Sequence, residues 1–156
     1  MAGEIDARLE ELGITLPEPP AAAGAYTQVL RVGSLLYVSG QVPFWNGDLT
    51  FVGKVGQDFS LEEGQEAART CALNIVAQVK RALDGDLDRV TRIVKLGGFV
   101  NCPADYGDHP KVINGASNLM GEVFGTKGQH TRFAVGAGSL PLGVAVEVDA
   151  IVEVAD

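Results

Sequence analysis

The chain has 156 residues, a formal net charge of −8, and 46% hydrophobic and 21% charged residues. This length and balance predict one globular domain over residues 1–156. The negative charge disfavours a general nucleic-acid binder. The sequence also shows no apolar run of membrane length and no cleavable-looking start, so we expect a cytoplasmic protein that acts on small molecules.

The first third of the chain predicts a helix, a hairpin and an irregular lobe. Apolar residues recur at helical spacing within Glu4–Leu16, where Gly13 interrupts the run. The segments Tyr26–Leu30 and Leu35–Ser39 have the composition of two strands joined by a short turn. The Gly- and Asp-rich segment Phe44–Phe59 is predicted to be irregular.

The middle of the chain predicts two main helices with a strand between them. Ser60 followed by Glu63 forms a capping box, and the apolar stripe behind it continues to an Asp-Gly pair at residues 84–85. Val90–Asn101 reads as a strand, and a second helix is expected from about Pro110 to Phe124, where a glycine stops it. Of the two cysteines, Cys71 falls in the apolar run of the first of these helices and is expected in the core. No Cys/His pair has the spacing of metal ligands.

Two strands are predicted at the end of the chain. Thr131–Val135 is the first, and Val144–Val154 alternates apolar residues with carboxylates, which is typical of a strand with one buried face. The turn at residues 138–143 predicts that the two strands lie side by side. On that pairing Arg132 and Glu147 aim at the same side of the sheet and face one cleft.

The element order β-β-α-β-α-β-β predicts an α+β fold, with a mixed sheet covered by both main helices on one face. The other face combines the carboxylates of Glu147, Asp149 and Glu153 with Ala145 and Ile151. Two interpretations remain open for this face. It is solvent-exposed, or copies of the chain bury it around a common axis and leave clefts between neighbours.

Several motifs resemble those of one known family. The C-terminal motif consists of Arg132, Val135, Leu140, Pro141, Val146, Glu147, Val148 and Asp149. Upstream lie the matching segments Gly24-Ala25-Tyr26, Ser39-Gly40-Gln41-Val42-Pro43 and Val112-Ile113-Asn114. Together they resemble the reactive intermediate deaminase family, also called YjgF or L-PSP. Residues 24–156 would form the family domain and residues 1–20 an N-terminal helical extension of a divergent branch.

The resemblance implies a chorismate-mutase-like fold and a homotrimer with a pocket at each subunit interface, without metal or organic cofactor. It implies that Arg132 clamps a substrate carboxylate and that Glu147 holds the hydrolytic water. Ala134 lies where many relatives have Cys, and the family uses the backbone carbonyl there. The implied substrate-binding positions are Tyr26, Gly40, Asn114, Ala134 and Pro141.

Alternatives remain open for both charged residues and for the activity. In the alternative for Arg132, the guanidinium forms an ion pair with Glu147 or Asp149. In the alternative for Glu147, the carboxylate merely orients Arg132. The leading hypothesis is hydrolytic deamination of enamine or imine acids such as 2-aminoacrylate. The second is a non-catalytic binder of small carboxylates. The third is the endoribonuclease activity attributed to some relatives, against which the acidic charge counts. No membrane or nucleic-acid partner is expected.

Overall fold

The computed structural model describes residues 3–156. Its helices are α1 (Glu4–Glu11), α2 (Leu61–Ala82) and α3 (His109–Phe124). Its strands are β1 (Val29–Val32), β2 (Leu35–Gln41), β3 (Phe44–Trp45), β4 (Asp48–Leu49), β5 (Val90–Asn101), β6 (Thr131–Ala137) and β7 (Val146–Val154). No helix in this part of the chain is long and apolar enough to cross a membrane. The cytoplasmic location stays a prediction.

A five-stranded mixed sheet carries the fold, with the order β1-β2-β7-β5-β6. β5 and β6 run parallel, and the other neighbours are antiparallel. Helices α2 and α3 pack on one face, where the alternate residues of β7 from Val146 to Val154 are buried against them. No helix of residues 3–156 covers the opposite face, called here the open face. The α+β prediction is therefore confirmed, including the placement of both main helices on one side.

The prediction that the last two strands lie side by side is wrong. β5 lies between β6 and β7, pairing Leu96 with Arg132 on one side and with Ala150 on the other. The connection passes over the end of β5, where Asn101 holds it. The Asn101 backbone N–H donates to Ala145 O at 2.8 Å, and its side-chain amide donates to Val144 O at 3.0 Å. These bonds satisfy buried carbonyls of the crossing segment, so no tight hairpin is needed.

The segment predicted to be irregular contains a small hairpin. β3 pairs with β4 around Asn46 and Gly47, which have φ angles of 50° and 89°. Two successive residues with positive φ define the turn that Asn-Gly favours most strongly in two-residue hairpins. The Asn46 side chain also accepts a hydrogen bond from the backbone of Glu18 at 2.8 Å, which ties the hairpin to the N-terminal segment.

The helix predictions hold with shifted ends. The capping box is present, because Ser60 Oγ accepts from the Glu63 N–H at 3.2 Å and the Glu63 carboxylate accepts from the Ser60 N–H at 3.1 Å. α1 ends at Glu11 rather than Leu16, since Gly13 takes a φ of 69° that no helix continues. Leu16 nevertheless packs against the core.

Candidate functional site

Arg132 lies on the edge strand β6, on the side of the sheet that faces α3. Its Nη1 donates to Asn114 Oδ1 at 2.8 Å and to Ser117 Oγ at 3.1 Å, and its Nη2 donates to Pro110 O at 3.0 Å. All three acceptors belong to α3. The helix therefore holds the guanidinium in one orientation.

The guanidinium of Arg132 keeps capacity for a ligand. Three of its five N–H donors are used within the chain, so that one on Nε and one on Nη2 have no acceptor in residues 3–156. No carboxylate of that region forms an ion pair with it, so the alternative pairing with Glu147 or Asp149 is wrong within one chain. Burial lowers the pKa of Arg132, which marks a partly desolvated cation. Such a group is suited to bind a carboxylate through two charge-assisted hydrogen bonds.

A polar relay behind Arg132 was missed by the sequence reasoning. Ser117 Oγ lies 2.8 Å from His130 Nε2, and His130 Nδ1 lies 2.7 Å from Gly128 O. Because a carbonyl can only accept, Nδ1 carries the proton, and in the neutral ring Nε2 accepts from Ser117. The Ser117 oxygen then accepts from Arg132. The sequence signal for this relay is only a serine on α3 and a histidine one residue before β6.

Glu147 lies on the open face in the middle of the sheet. It is half-buried and is opposite Phe99 of β5 in the strand register. Burial raises the pKa of its carboxyl group, and the nearby charge of Asp149 raises it further. Burial likewise raises the pKa of Asp149. The raised pKa of Glu147 brings the group closer to neutral pH, where a general base works best.

The expectation that Arg132 and Glu147 face one cleft of the same chain is wrong. Arg132 is in register with Leu96, which is fully buried beneath the helices, whereas Glu147 is in register with Phe99. Leu96 and Phe99 are three residues apart on one regular stretch of β5, so they point to opposite faces. A site that uses both Arg132 and Glu147 therefore needs a second copy of the chain.

The other expected site residues divide between these two locations. Asn114 contacts Arg132 directly, and Ala134 follows Arg132 on the same face of β6. Gly40 lies against the Glu147 carboxyl group. Tyr26 is exposed in a loop, and Pro141 is exposed at the start of a short 3-10 helix. No hydrogen bond in residues 3–156 links either one to Arg132 or Glu147. Their assignment to the site stays a prediction.

Comparison with known proteins places this geometry in a family. A family model described as "YjgF/chorismate_mutase-like, putative endoribonuclease" matches residues 6–154. Protein TCP17 of Trypanosoma cruzi is 47% identical over 153 residues, which cover 97% of this chain and 95% of that protein. A crystal structure described as a "putative endoribonuclease" from Shewanella oneidensis is 38% identical with a TM-score of 0.93, covering 97% of this chain and 100% of that one. Escherichia coli TdcF with bound serine is 25% identical with a TM-score of 0.62, covering 89% and 94%. The chain therefore belongs to the YjgF/chorismate-mutase-like family.

Proposed function

We propose that this protein is a hydrolytic deaminase of small enamine and imine acids of the 2-aminoacrylate type. Its sites would lie between the copies of a homotrimer. Each site would combine Arg132 of one copy with Glu147 of the next.

The observation that carries the proposal is the state of Arg132. It is a half-buried cation without a carboxylate partner in residues 3–156, and two of its donors have no protein acceptor. TdcF, which shares the fold, was crystallised with serine, a small amino acid with a free carboxylate. Both facts support a ligand that is short, anionic and nitrogen-bearing.

The chemistry needs only groups that the chain supplies. Arg132 would hold the carboxylate of the imine acid, and Glu147 would accept a proton from a water as its oxygen attacks the imine carbon. The C=N bond becomes a C–N single bond in the resulting carbinolamine. Glu147 would then return the proton to nitrogen, and it would next carry the hydroxyl proton of the carbinolamine to the same nitrogen. The C–N bond then breaks, the C=O bond of the 2-keto acid forms, and ammonia leaves. A glutamate with a raised pKa can both take up and release that proton.

The open face supports assembly. Five large apolar side chains on this face are 37–57% exposed, and they come from β1, β2 and β6: Leu30, Val32, Tyr37, Phe133 and Val135. Ile151 of β7 and Phe99 of β5 share the face with them. A contiguous apolar surface of this kind is typical of protein–protein interfaces. If the β6 edge of one copy packs against the open face of the next, the contact is heterologous and a closed ring satisfies every copy. Arg132 and Glu147 would then meet at each contact.

The second candidate function is a non-catalytic carboxylate binder, and one observation favours it. A single chain presents the Arg132 clamp without an acid beside it, because Glu147 lies on the other face. The endoribonuclease activity in the family description is not proposed, since a chain with a net charge of −8 would repel RNA phosphates.

The test measures release of ammonia and 2-keto acid from freshly generated 2-aminoacrylate. We expect turnover by the parent protein, loss of turnover in Arg132→Ala, and full turnover in Arg92→Ala, which removes an arginine from the neighbouring strand β5. Keto-acid binding without any hydrolysis by the parent protein would favour the binder. If the parent protein shows no keto-acid binding and no hydrolysis, both functions are refuted.

A further inference from the structure

A cavity outside the candidate site contains a thiol and an imidazole side by side. It measures about 370 Å³ and lies where β5 and β6 end and α3 begins. Cys102 Sγ and His109 Nε2 are 3.4 Å apart within it. The Cys102 backbone N–H donates to Ala137 O at 3.2 Å, which fixes the thiol residue to the end of β6.

The approach of these two side chains depends on Gly136. A Cβ built there would lie 2.6 Å from His109 Nε2 and 3.1 Å from Cys102 Sγ. Gly138 lines the same cavity, but a Cβ there would meet no atom within 4 Å. The pair therefore occupies space that any larger residue at position 136 would take from it.

Two further polar groups accompany the pair. Lys54 Nζ donates to Asn101 Oδ1 at 2.7 Å and to Gly138 O, and its positive charge acts on Cys102. The Tyr106 ring packs edge-on against His109 with a centroid distance of 5.7 Å. The Tyr106 hydroxyl is buried and has no hydrogen-bond partner in residues 3–156. An unpartnered buried hydroxyl next to a cavity is a donor available to a ligand oxygen.

The thiol rests in its neutral form. Burial raises the pKa of Cys102, and this effect outweighs the lowering by the Ala137 hydrogen bond and by Lys54. A neutral thiol is a weak nucleophile, so it reacts only when a neighbouring base removes its proton as the new bond forms. His109 is placed for that step.

We propose that Cys102 and His109 form a thiol-addition site for small alkenes activated by an adjacent carbonyl group. His109 Nε2 takes the thiol proton while Sγ bonds to the β-carbon, and the carbon–carbon π bond supplies its electrons to the α-carbon. The imidazolium then returns the proton to the α-carbon, so the product is a thioether and no other reactant is consumed. Lys54 and Tyr106 provide a cation and a donor that can stabilise the carbonyl oxygen during the addition.

The surroundings of the pair favour addition over other thiol chemistry. His109 Nδ1 has no acceptor in residues 3–156, so no carboxylate orients the ring as in a hydrolytic triad. The other cysteine, Cys71, is fully buried on the face of α2 that packs against the sheet, where its Sγ contacts Val146 O at 3.5 Å. It is therefore not available as a disulfide partner. An activated alkene needs only a nucleophile and a proton, and the pair supplies both.

The experiment treats the assembled native protein with N-ethylmaleimide and follows adducts by intact mass and peptide mapping. Cys71 is the internal control, because both cysteines should react in guanidinium while only Cys102 should react in the native state. One adduct at Cys102, formed at least about tenfold faster than any at Cys71, supports the proposal. Labelling of neither cysteine, or of both at equal rates, overturns it.

Variants of His109, Gly136 and Gly138 distinguish addition to Cys102 that the imidazole assists from labelling of a thiol that is merely exposed. His109→Gln keeps a polar side chain but loses the base, so the labelling rate of Cys102 should fall by about 10²-fold, the lower end for loss of a general base. Gly136→Ala should also slow labelling, whereas Gly138→Ala should leave it unchanged, with thermal melting confirming that each variant is folded. An unchanged rate in His109→Gln, or equal rates in the two alanine variants, would show that the imidazole does not assist the thiol.

Discussion

Gly40 lies directly against the carboxyl group of Glu147. A Cβ built at Gly40 would be 3.0 Å from Glu147 Cδ and 3.2 Å from Oε1. Gly40 belongs to the stretch of β2 where the register with β7 shifts between Val38 and Gln41. This irregularity brings the backbone of Gly40 next to the Glu147 carboxylate. Because glycine has no side chain, the carboxylate has room to occupy that position.

Replacing Gly40 with alanine should displace the Glu147 carboxyl group. We expect Gly40→Ala to reduce the turnover of imine hydrolysis by about 10–100-fold, because a small misplacement of a catalytic group is costly. Keto-acid binding by Arg132 should persist. Gly121→Ala is the matched control, since a Cβ at that position of α3 meets nothing within 4 Å. If Gly40→Ala hydrolyses the imine as fast as the parent protein does, the position of the Glu147 carboxyl group is not important for the mechanism.

Arg132 should control ligand affinity. We expect Arg132→Ala to weaken binding of small 2-keto acids by on the order of 2–5 kcal/mol, the range for losing one partner of a buried charge pair. Arg132→Lys should also bind poorly, because an ammonium cannot reproduce the planar fork. Calorimetry on both variants and on Arg92→Ala tests this. Unchanged affinity in both Arg132 variants would assign Arg132 to structure, as a brace between β6 and α3.

The fold could be predicted from the sequence because most of its signals are local. The capping box of α2 and the alternation of β7 each fix an element within a few residues. Strand order has no such local signal. Whether β7 pairs with β6 or β5 depends on how the segment before β7 is held, and that is decided by Asn101, about forty residues earlier. The error in strand order placed Arg132 and Glu147 on one face.

Only those residues of the candidate site that belong to a local sequence motif could be predicted. Arg132, Glu147 and Asn114 were identified from motifs, and the structure brings Asn114 to Arg132. Ser117 and His130 could not be identified, because a serine and a histidine separated by thirteen residues have no diagnostic spacing. Cys102 and His109 meet only because β5 ends beside the start of α3 and Gly136 leaves room.

The role of Glu147 as a base predicts a specific loss of turnover. Glu147→Gln keeps the shape and a hydrogen-bonding group but removes the basicity, so turnover should fall by about 10²–10⁴-fold while keto-acid binding persists. In the parent protein, turnover should decline as the pH falls through the raised pKa of Glu147, because the protonated acid cannot accept a proton. Binding and turnover weakening together in Glu147→Gln would indicate that Glu147 only orients Arg132.

The same pKa shift has a defined sign for stability. The folded protein binds a proton at Glu147 more tightly than the unfolded chain does, so the free energy of unfolding should fall as pH rises through the window between the ordinary value of 4.5 and the raised value. Glu147→Gln should flatten this pH dependence. Denaturant unfolding of both proteins across that window, at fixed protein concentration, measures the difference. If the free energy of unfolding of the parent protein rises with pH in this window, relative to that of the variant, the pKa of Glu147 is not raised in the folded state.

The N-terminal helix should depend on Asp88. The Asp88 carboxylate accepts from the backbone N–H groups of Glu4 and Ile5 at 2.9 Å each, and the Ile5 bond is the largest cause that lowers its pKa. Asp88→Ala should cost about 0.5–2 kcal/mol, the usual range for losing a helix cap. A lowered pKa means that this stability is present above the ordinary value of 3.8 and is lost as pH falls through the folded value. Asp105→Ala, in an exposed loop, is the control. Equal unfolding free energies for the two variants at neutral pH would show that the cap is unimportant.

The last prediction follows from the opposite faces of Arg132 and Glu147. If each site takes Arg132 from one copy and Glu147 from the next, Arg132→Ala and Glu147→Gln chains should complement each other in mixed trimers. Random mixing of equal amounts by unfolding and refolding together should restore about a quarter of parental activity, because one contact in about four pairs two intact residues. The two variants refolded separately and then combined are the control and should stay inactive. Light scattering should give a particle of three times the 16.3 kDa chain mass for both samples. Mixed trimers without recovered activity would mean that the two residues do not act together across the contact.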